Sequence, residues 1–203
     1  MVLQPGIGMT VGSVINHPNF EEQPSTSSFD VWNSRGRDVA SNGGIMRVCV
    51  VSALDFNDID KVVERAKEST LVTHYDPRCI ASSIAVCLVA SQLLQGKSKE
   101  EALEFSREKS LHILSDLIDS IPENKTERSV GYDWKKENVL REFENYFNAK
   151  ELSELHLDEE KTRGYTLKTM ASALVCLRND KTFAENISDI LLGKFRIFLS
   201  LTC

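Results

Sequence analysis

The fold is decided by residues 76–96, DPRCIASSIAVCLVASQLLQG. Aspartate is a good helix cap and proline is favoured at the first helical position, so Asp76-Pro77 predicts the start of a helix. This helix is expected to run to Leu94 or Gln95 and to stop at Gly96. The apolar run over 80–94 is interrupted by serines and a glutamine and is shorter than the ~20 residues of a membrane span. The stretch therefore predicts a buried core helix rather than a membrane segment.

The remaining chain also shows helical periodicity for most of its length. Ser98 with Glu101 fits a capping box, in which the two residues satisfy each other's backbone N–H groups. Further helices are predicted over Gly43–Leu54, from Asn57 or Asp58 to about Leu71, from Ser98 to about Ser120, and over Trp134–Phe147, Thr166–Leu177 and Thr182–Leu192. No convincing alternating strand pattern occurs, with the tail after Gly193 as the one candidate exception. The pattern predicts an all-α, compact multi-helix single domain.

Composition narrows the class of protein. The chain has 203 residues, enough for one domain with a sizeable core, and its 41% hydrophobic and 27% charged content is ordinary for a soluble globular protein. Its net charge of −6 argues against a broad nucleic-acid-binding face. The five cysteines lack C-x-x-C spacing and favour small buried side chains in a reducing compartment. With no signal-peptide pattern at the start, we expect a cytoplasmic location, or alternatively a nuclear one, and no membrane partner.

A glycine-containing segment, Ser41-Asn42-Gly43-Gly44-Ile45-Met46-Arg47, leads into one of the predicted helices. Glycines let the backbone approach a ligand closely, since they have no Cβ. The N-terminus of the following helix offers N–H donors that suit a phosphate or a ribose hydroxyl. The alternative is a capped turn with no ligand, in which Met46 is a core residue and Arg47 an ion-pair partner.

Two further segments of the chain are informative when they are taken together with this motif. They are Thr73-His74-Tyr75-Asp76-Pro77 and Gly164-Tyr165-Thr166-Leu167-Lys168. In this order and with helical spacers, the three segments resemble the ADP-ribosylglycohydrolase family, from about Pro5 to Leu192. That family has an Asn-Gly-x-x-Met-Arg stretch, then a Thr-His stretch that opens a long helix, then a Gly-Tyr or Gly-Asn stretch that opens another.

The resemblance implies an activity and a binding site. The implied reaction is hydrolysis of the glycosidic bond between ADP-ribose and a modified protein side chain, and the implied partner is ADP-ribose or an ADP-ribosylated protein. The residues expected to bind ADP-ribose are Asn42, Gly43, Gly44, His74, Gly164 and Tyr165. No catalytic nucleophile is indicated.

Each of these residues also has an interpretation without a ligand. His74 at a loop–helix junction can be a structural hydrogen-bonding residue, and Tyr165 can be a partly buried ring at a helix entry. Asp76 is explained as a helix cap rather than a metal ligand. His112 and Asp116 lie four residues apart on one helix face and are expected to form a solvated pair.

The family implies a magnesium cofactor that this chain is not expected to bind. The family's metals are held by an early Thr-Asp-Asp-Thr segment, an early acidic residue and a late Gly-Gly-Asp-x-Asp-Thr segment, and none of these occurs here. Hard cations need several oxygen ligands, so no metal-ligand residues are assigned and the chain alone is expected to be inactive.

The absent segments also set the expected organisation of the chain. We expect a loop-rich segment over 1–30 with at most one short helix, a partial ADP-ribosylglycohydrolase-like helical domain over 31–192, and a non-family tail over 193–203. The domain would be truncated at both ends. Three functional hypotheses stay open: a truncated hydrolase, a non-catalytic ADP-ribose-binding module, and an α-helical interaction protein.

Overall fold

The computed structural model describes the backbone of residues 7–122 and 131–200 and the side chains of these residues as far as Leu192. Within these ranges the chain forms helices and turns without a β-strand, which confirms the all-α prediction. The helices are α1 Met9–Ile15, α2 Pro24–Ser34, α3 Ile45–Val48, α4 Ile59–Leu71, α5 Pro77–Leu94, α6 Lys99–Asp119, α7 Lys136–Asn148, α8 Thr166–Arg178 and α9 Phe183–Ser200. Short 3-10 helices cover Cys49–Ala53, Leu152–Leu155 and Glu160–Thr162.

The central element is α5, as its apolar sequence predicts. Asp76 caps it by accepting a hydrogen bond from the backbone N–H of Arg78, and Pro77 occupies its first position. It packs against α4, α6 and α8. The helix is long and apolar enough to cross a membrane, but 78% of it is buried inside the described protein. Its apolar character is therefore that of a core helix.

Two apolar clusters lie on different sides of α5. The larger joins it to α6, α7 and α8 through side chains such as Leu114, Phe143 and Met170. The smaller joins it to α4 and the end of α3 through Val48, Val62 and other aliphatic side chains. The burial of apolar side chains in these two clusters is the main favourable contribution to folding.

Local capping signals fix the helix starts that the sequence predicts. Asp58 accepts from the backbone of Lys61 at the start of α4. Ser98 and Glu101 form both hydrogen bonds of a capping box at the start of α6. In α7 the buried side chains Val139, Phe143 and Phe147 recur every four residues, as an amphipathic helix requires.

The N-terminal part of the chain is more helical than its composition predicts. The loop-rich interpretation of 1–30 is wrong for the described residues, because α1 and most of α2 fall there. These helices bury Val14, Ser27 and Trp32. Their apolar faces are too short to produce a visible period, and serine and glycine conceal them further.

The predicted helix over 43–54 is also only partly correct. The chain forms the four-residue α3 followed by a 3-10 helix. Met46, Val50 and Leu54 are 70%, 74% and 67% exposed, so the prediction of a buried segment with Met46 in the core is wrong. Only one face, with Ile45 and Val48, meets α5, since the segment lies on the surface of the helical bundle.

The C-terminal helix does not end where the family resemblance ends. α9 continues without interruption to Ser200, so the strand considered for the tail is wrong over these residues. Residues 201–203 lie outside the described residues, as do 1–6 and 123–130.

Candidate functional site

The three segments picked out by the sequence meet in space. The backbone N–H of Asn42 donates to Gly164 O at 2.8 Å, and that of Thr166 donates to Ala40 O at 2.9 Å. These bonds make an isolated antiparallel bridge between Ser41 and Tyr165. The second segment joins through His74, whose Nε2 lies 3.0 Å from Ser41 Oγ. The arrangement brings together residues 124 positions apart in sequence, as the Ser41–Tyr165 bridge shows.

His74 is enclosed at the centre of this junction. Its side chain is 2% exposed, and its Nδ1 lies 2.7 Å from Thr73 Oγ1. Both ring nitrogens therefore have hydroxyl partners inside the protein. This geometry supports a structural role for His74, and contact between its ring and ADP-ribose stays a prediction.

The electrostatics of His74 agree with this enclosure. Burial lowers the pKa of His74 from 6.5 to about 4, with a further lowering by the charge of Arg47 and an opposing contribution from Asp76. A buried imidazole loses the solvation that its charged form needs. His74 is neutral at physiological pH, and each ring nitrogen can exchange donor and acceptor roles with its hydroxyl partner.

The two glycines pack closely against neighbouring side chains, Gly43 against the His74 ring and Gly44 against Thr70. A Cβ added to Gly43 would lie 3.0 Å from His74 Cε1 and 3.2 Å from Nε2. A Cβ added to Gly44 would lie 3.0 Å from Thr70 Cγ2. Their close approach is thus to the protein's own side chains, while their contact with a ligand stays a prediction.

The neighbouring polar side chains extend the junction. Asn42 donates through Nδ2 to Thr169 Oγ1 at 3.1 Å, which ties the first segment to α8. Arg47 donates to Ser69 O at 3.0 Å and to Thr73 Oγ1, and thus bridges two segments with hydrogen bonds rather than an ion pair.

Gly164 is exposed, and Asn42 and Tyr165 are half-buried. Together with Ser41, Gly43 and Arg47, these residues form the part of the junction that solvent reaches.

Asp76 acts as the predicted helix cap and has a second role. Its two carboxylate oxygens accept from the Arg78 side chain, at 2.9 Å from Nε and 2.7 Å from Nη2. Oδ2 also accepts from Trp32 Nε1 at 3.0 Å. The carboxylate is fully buried and fully engaged.

Arg78 lies among aromatic rings. Its guanidinium carbon is 3.7 Å from the ring centroid of Tyr132, 5.3 Å from Trp134 and 5.6 Å from Tyr165. Burial would lower the pKa of Arg78, but the charge and hydrogen bonds of Asp76 outweigh it and raise that pKa. The side chain also donates to Asp38 Oδ1 at 3.0 Å. We call Asp76, Arg78 and these three rings the Arg78 cluster.

Tyr165 belongs both to the Arg78 cluster and to the third segment, and its hydroxyl group links the two. Its hydroxyl donates to Glu142 Oε1 at 2.8 Å and accepts from Arg78 Nη1 at 3.4 Å. Burial, and then the charge of Glu142, raise the pKa of Tyr165, while the charge of Arg78 opposes them. The phenol therefore stays protonated throughout the physiological range.

Sequence reasoning missed Arg78 and Glu142. Arg78 carries the one charge in an otherwise apolar helix, and a buried charge needs a partner. This single charge was the sequence signal from which a buried ion pair with Asp76 could have been predicted. Glu142 precedes the buried Phe143 and follows Val139 by three residues, so it borders the apolar face of α7. Its partners could not be read from the sequence, because they come from distant elements.

The described residues do not fit a magnesium centre. They contain no group of three or more His, Cys, Asp or Glu side chains that could hold a metal ion. Asp76 is already saturated by Arg78 and Trp32. As expected, His112 and Asp116 form an exposed pair, 3.1 Å apart. A divalent cation prefers several oxygen ligands around one position, and this part of the chain supplies no such set.

Comparison with known proteins identifies the family of this chain. The sequence profile of the ADP-ribosylglycohydrolase family matches residues 3–193. The chain therefore belongs to the ADP-ribosylglycohydrolase family. No curated protein and no solved structure matches the chain at a significant level.

Proposed function

We propose that this chain binds the ADP-ribose moiety of an ADP-ribosylated protein and does not hydrolyse the glycosidic bond by itself. The proposal refines the general ADP-ribosylglycohydrolase-like function that the family membership supports. The observation that carries it is the convergence of the three segments at the Ser41–Tyr165 bridge, without a metal-binding group among the described residues.

The solvent-reached side of the junction suits a nucleotide diphosphate. Tyr165 is the N-cap residue of α8, and no side chain caps this helix. The N-terminus of a helix carries a partial positive charge that favours anions such as a diphosphate, and the first N–H of α8, that of Thr166, is already bound to Ala40 O. Gly164 lies exposed directly before it. The half-buried ring of Tyr165 offers a face on which an adenine can stack.

The proposed lack of hydrolysis follows from the carboxylates around the junction. Asp76 is saturated inside the protein, and Glu142 accepts from the hydroxyls of both Tyr165 and Tyr132. Asp38 is half-exposed but is paired with Arg78. A carboxylate that acts as a general base needs a free oxygen near the attacking water. Neither Asp76 nor Glu142 has such an oxygen, because both oxygens of each carboxylate are engaged, whereas Asp38 is bound to Arg78 through Oδ1 only.

Isothermal titration with ADP-ribose, in magnesium and in a chelator, tests the binding half of the proposal. We expect equal affinity in both buffers, and weaker binding by Gly164→Val, whose side chain blocks the entry to α8. His112→Ala removes a distant exposed side chain and serves as the matched control. Absence of heat with the wild type, or binding that requires magnesium, would contradict the proposal.

An assay for released ADP-ribose tests the other half. Purified chain is incubated with an arginine- or serine-ADP-ribosylated peptide in magnesium, with an active family member as the positive control. We expect no release above the blank. Turnover by the wild type that is lost in the chelator would refute the proposed inactivity while leaving the binding site in place.

A second candidate function has one specific observation in its favour. Phe183, Ile187 and Leu191 recur every four residues along α9 and are 83%, 42% and 50% exposed. Such a stripe favours an α-helical interaction protein that has kept the family fold. This candidate is preferred only if ADP-ribose fails to bind and Phe183→Ser with Leu191→Ser changes the oligomeric state in light scattering.

A further inference from the structure

We propose that Glu142 is a positioning residue for ligand binding, which fixes the ring of Tyr165 at the N-terminus of α8. The inference rests on the proposed function, since Tyr165 is one of the residues expected to contact ADP-ribose. Glu142 lies on α7, outside the three segments that the family resemblance picks out.

The geometry of the Tyr165 hydroxyl carries the proposal. It donates to Glu142 Oε1 at 2.8 Å and accepts from Arg78 Nη1 at 3.4 Å. A hydroxyl has a single proton, so a carboxylate acceptor on one side and a cationic donor on the other define its orientation. The hydroxyl is held by α7 and by α5, which restrains rotation of the ring about its Cα–Cβ bond.

The surroundings of Glu142 make it a rigid anchor. Its second oxygen accepts from the hydroxyl of Tyr132, whose ring lies under the Arg78 guanidinium at 3.7 Å. Arg78 in turn is fixed by its two hydrogen bonds to the buried Asp76. Hydrogen bonds to ionised groups are shorter and stronger than neutral ones. Glu142 is thus connected through Tyr132 to the most buried ion pair of the site.

The helix that carries Glu142 also packs a second side chain against the Tyr165 ring. Tyr146, one helical turn after Glu142 on α7, meets the Tyr165 ring edge-on, with centroids 5.8 Å apart and planes at 79°. This contact and the Glu142 bond lie on the same helix and hold the same ring. Preorganisation of a stacking surface reduces the entropy that is lost when a ligand binds.

A double-mutant cycle on ADP-ribose affinity, measured by isothermal titration, tests the proposal. Glu142→Ala frees the hydroxyl and is expected to weaken binding about tenfold, the value of one hydrogen bond to a charged group. Tyr165→Phe keeps the ring but removes its anchor point, so we expect a similar loss. In the Tyr165→Phe background, Glu142→Ala is expected to cause no further loss, because the bond between the two residues is already absent.

Two more variants separate positioning from general damage to the fold. Glu142→Gln keeps an acceptor oxygen for Tyr165 and is expected to restore most of the affinity. Glu144→Ala is the matched control, since Glu144 lies on the same helix but pairs with Arg107 and faces away from Tyr165. It is expected to bind as the wild type does.

The outcomes distinguish this inference from the proposed function. If the wild type binds ADP-ribose but the two substitutions have additive effects, Glu142 acts independently of Tyr165 and the inference is wrong. The same conclusion follows if Glu142→Gln binds as weakly as Glu142→Ala. If the wild type shows no binding, the proposed function itself fails and the inference fails with it.

Discussion

Asp76 and Arg78 form a buried ion pair within a single helical turn, with Nη2 and Oδ2 2.7 Å apart and both side chains at most 2% exposed. Asp76 also caps α5 and accepts from Trp32 of α2, while Arg78 reaches Asp38 and the aromatic rings beside α7 and α8. One pair therefore joins the central helix to the N-terminal helices and to the candidate site.

Arg78→Met is expected to destabilise the protein by about 3–5 kcal/mol, because it leaves the Asp76 carboxylate buried without its counterion. The free energy of unfolding in urea, followed by helical circular dichroism, measures the effect. Arg107→Met is the matched control, since Arg107 pairs with the exposed carboxylates of Glu104 and Glu144, and such surface pairs contribute little to stability. An equal loss in the free energy of unfolding for the two variants would show that the buried pair stabilises the protein no more than the surface pairs do.

Gly43→Ala is expected to cost about 1–3 kcal/mol, because its methyl group would press on the His74 ring at 3.0 Å. Gly164→Ala provides the comparison, since its methyl would meet Asn42 Oδ1 at an ordinary 3.8 Å. Thermal melts of both variants give the difference. A Gly43→Ala variant as stable as Gly164→Ala would contradict the close packing of His74 against the first segment.

The stability of the protein is expected to fall as the pH is lowered from about 6.5 to about 4, through His74. Burial, and then the charge of Arg47, lower its folded pKa to about 4, against 6.5 when unfolded. In this window His74 binds a proton in the unfolded chain but not in the folded chain. The stabilisation is therefore complete above the unfolded pKa and is lost as the pH falls to the folded pKa. The full contribution is roughly 3 kcal/mol.

Urea midpoints measured between pH 4 and pH 7 test this behaviour. His74→Gln removes the titrating group while keeping a side chain that can hydrogen-bond, so its stability should change less steeply in the same window. Parallel pH profiles for the wild type and His74→Gln would rule out His74 as the source.

Ser98→Ala is expected to lower stability by about 0.5–2 kcal/mol through loss of the capping box at the start of α6. Ser120→Ala, at the other end of the same helix, removes an exposed hydroxyl that only bonds back to Asp116 O. The cost of the Ser98 substitution should exceed that of the Ser120 substitution in urea titrations. The reverse order would mean that α6 is fixed by packing alone.

Lys168→Met is expected to loosen the acidic loop before Gly164. Lys168 Nζ is buried and donates to His156 O, Glu159 Oε2 and Thr162 Oγ1 at 2.8, 3.1 and 2.6 Å. Without these bonds the loop should open locally, and trypsin should cleave faster after Lys161 and Arg163. Lys136→Met, which breaks a surface pair with Asp119, is the control and should leave the cleavage rate unchanged.

The main helices could be predicted because their signals are local. Asp58, Asp76 and Ser98 are capping residues whose hydrogen-bond partners lie within three positions along the chain. The buried face of α7 follows from a simple period. In contrast, the sequence predicts at most one short helix where α1 and α2 lie, because burial of Trp32 depends on the start of α5 rather than on any pattern near it.

The candidate site could be predicted only in part, for a related reason. The segments around Asn42, His74 and Gly164 were found by family resemblance, and the structure brings them together. Glu142 was missed because its role comes from hydroxyls that lie on other elements. A sequence displays which residues can pair, whereas the fold determines which of them meet.

The Arg78 cluster has a practical consequence for measurement. The chain contains two tryptophans, Trp32 and Trp134, and their rings lie 5.7 Å apart at this cluster. Intrinsic tryptophan fluorescence therefore reports on one spot in the molecule, where α2, α5 and the start of α7 meet. An emission shift that precedes the loss of helical signal would reveal that this spot opens before the rest of the helical bundle, whereas coincident transitions would show a single cooperative unit.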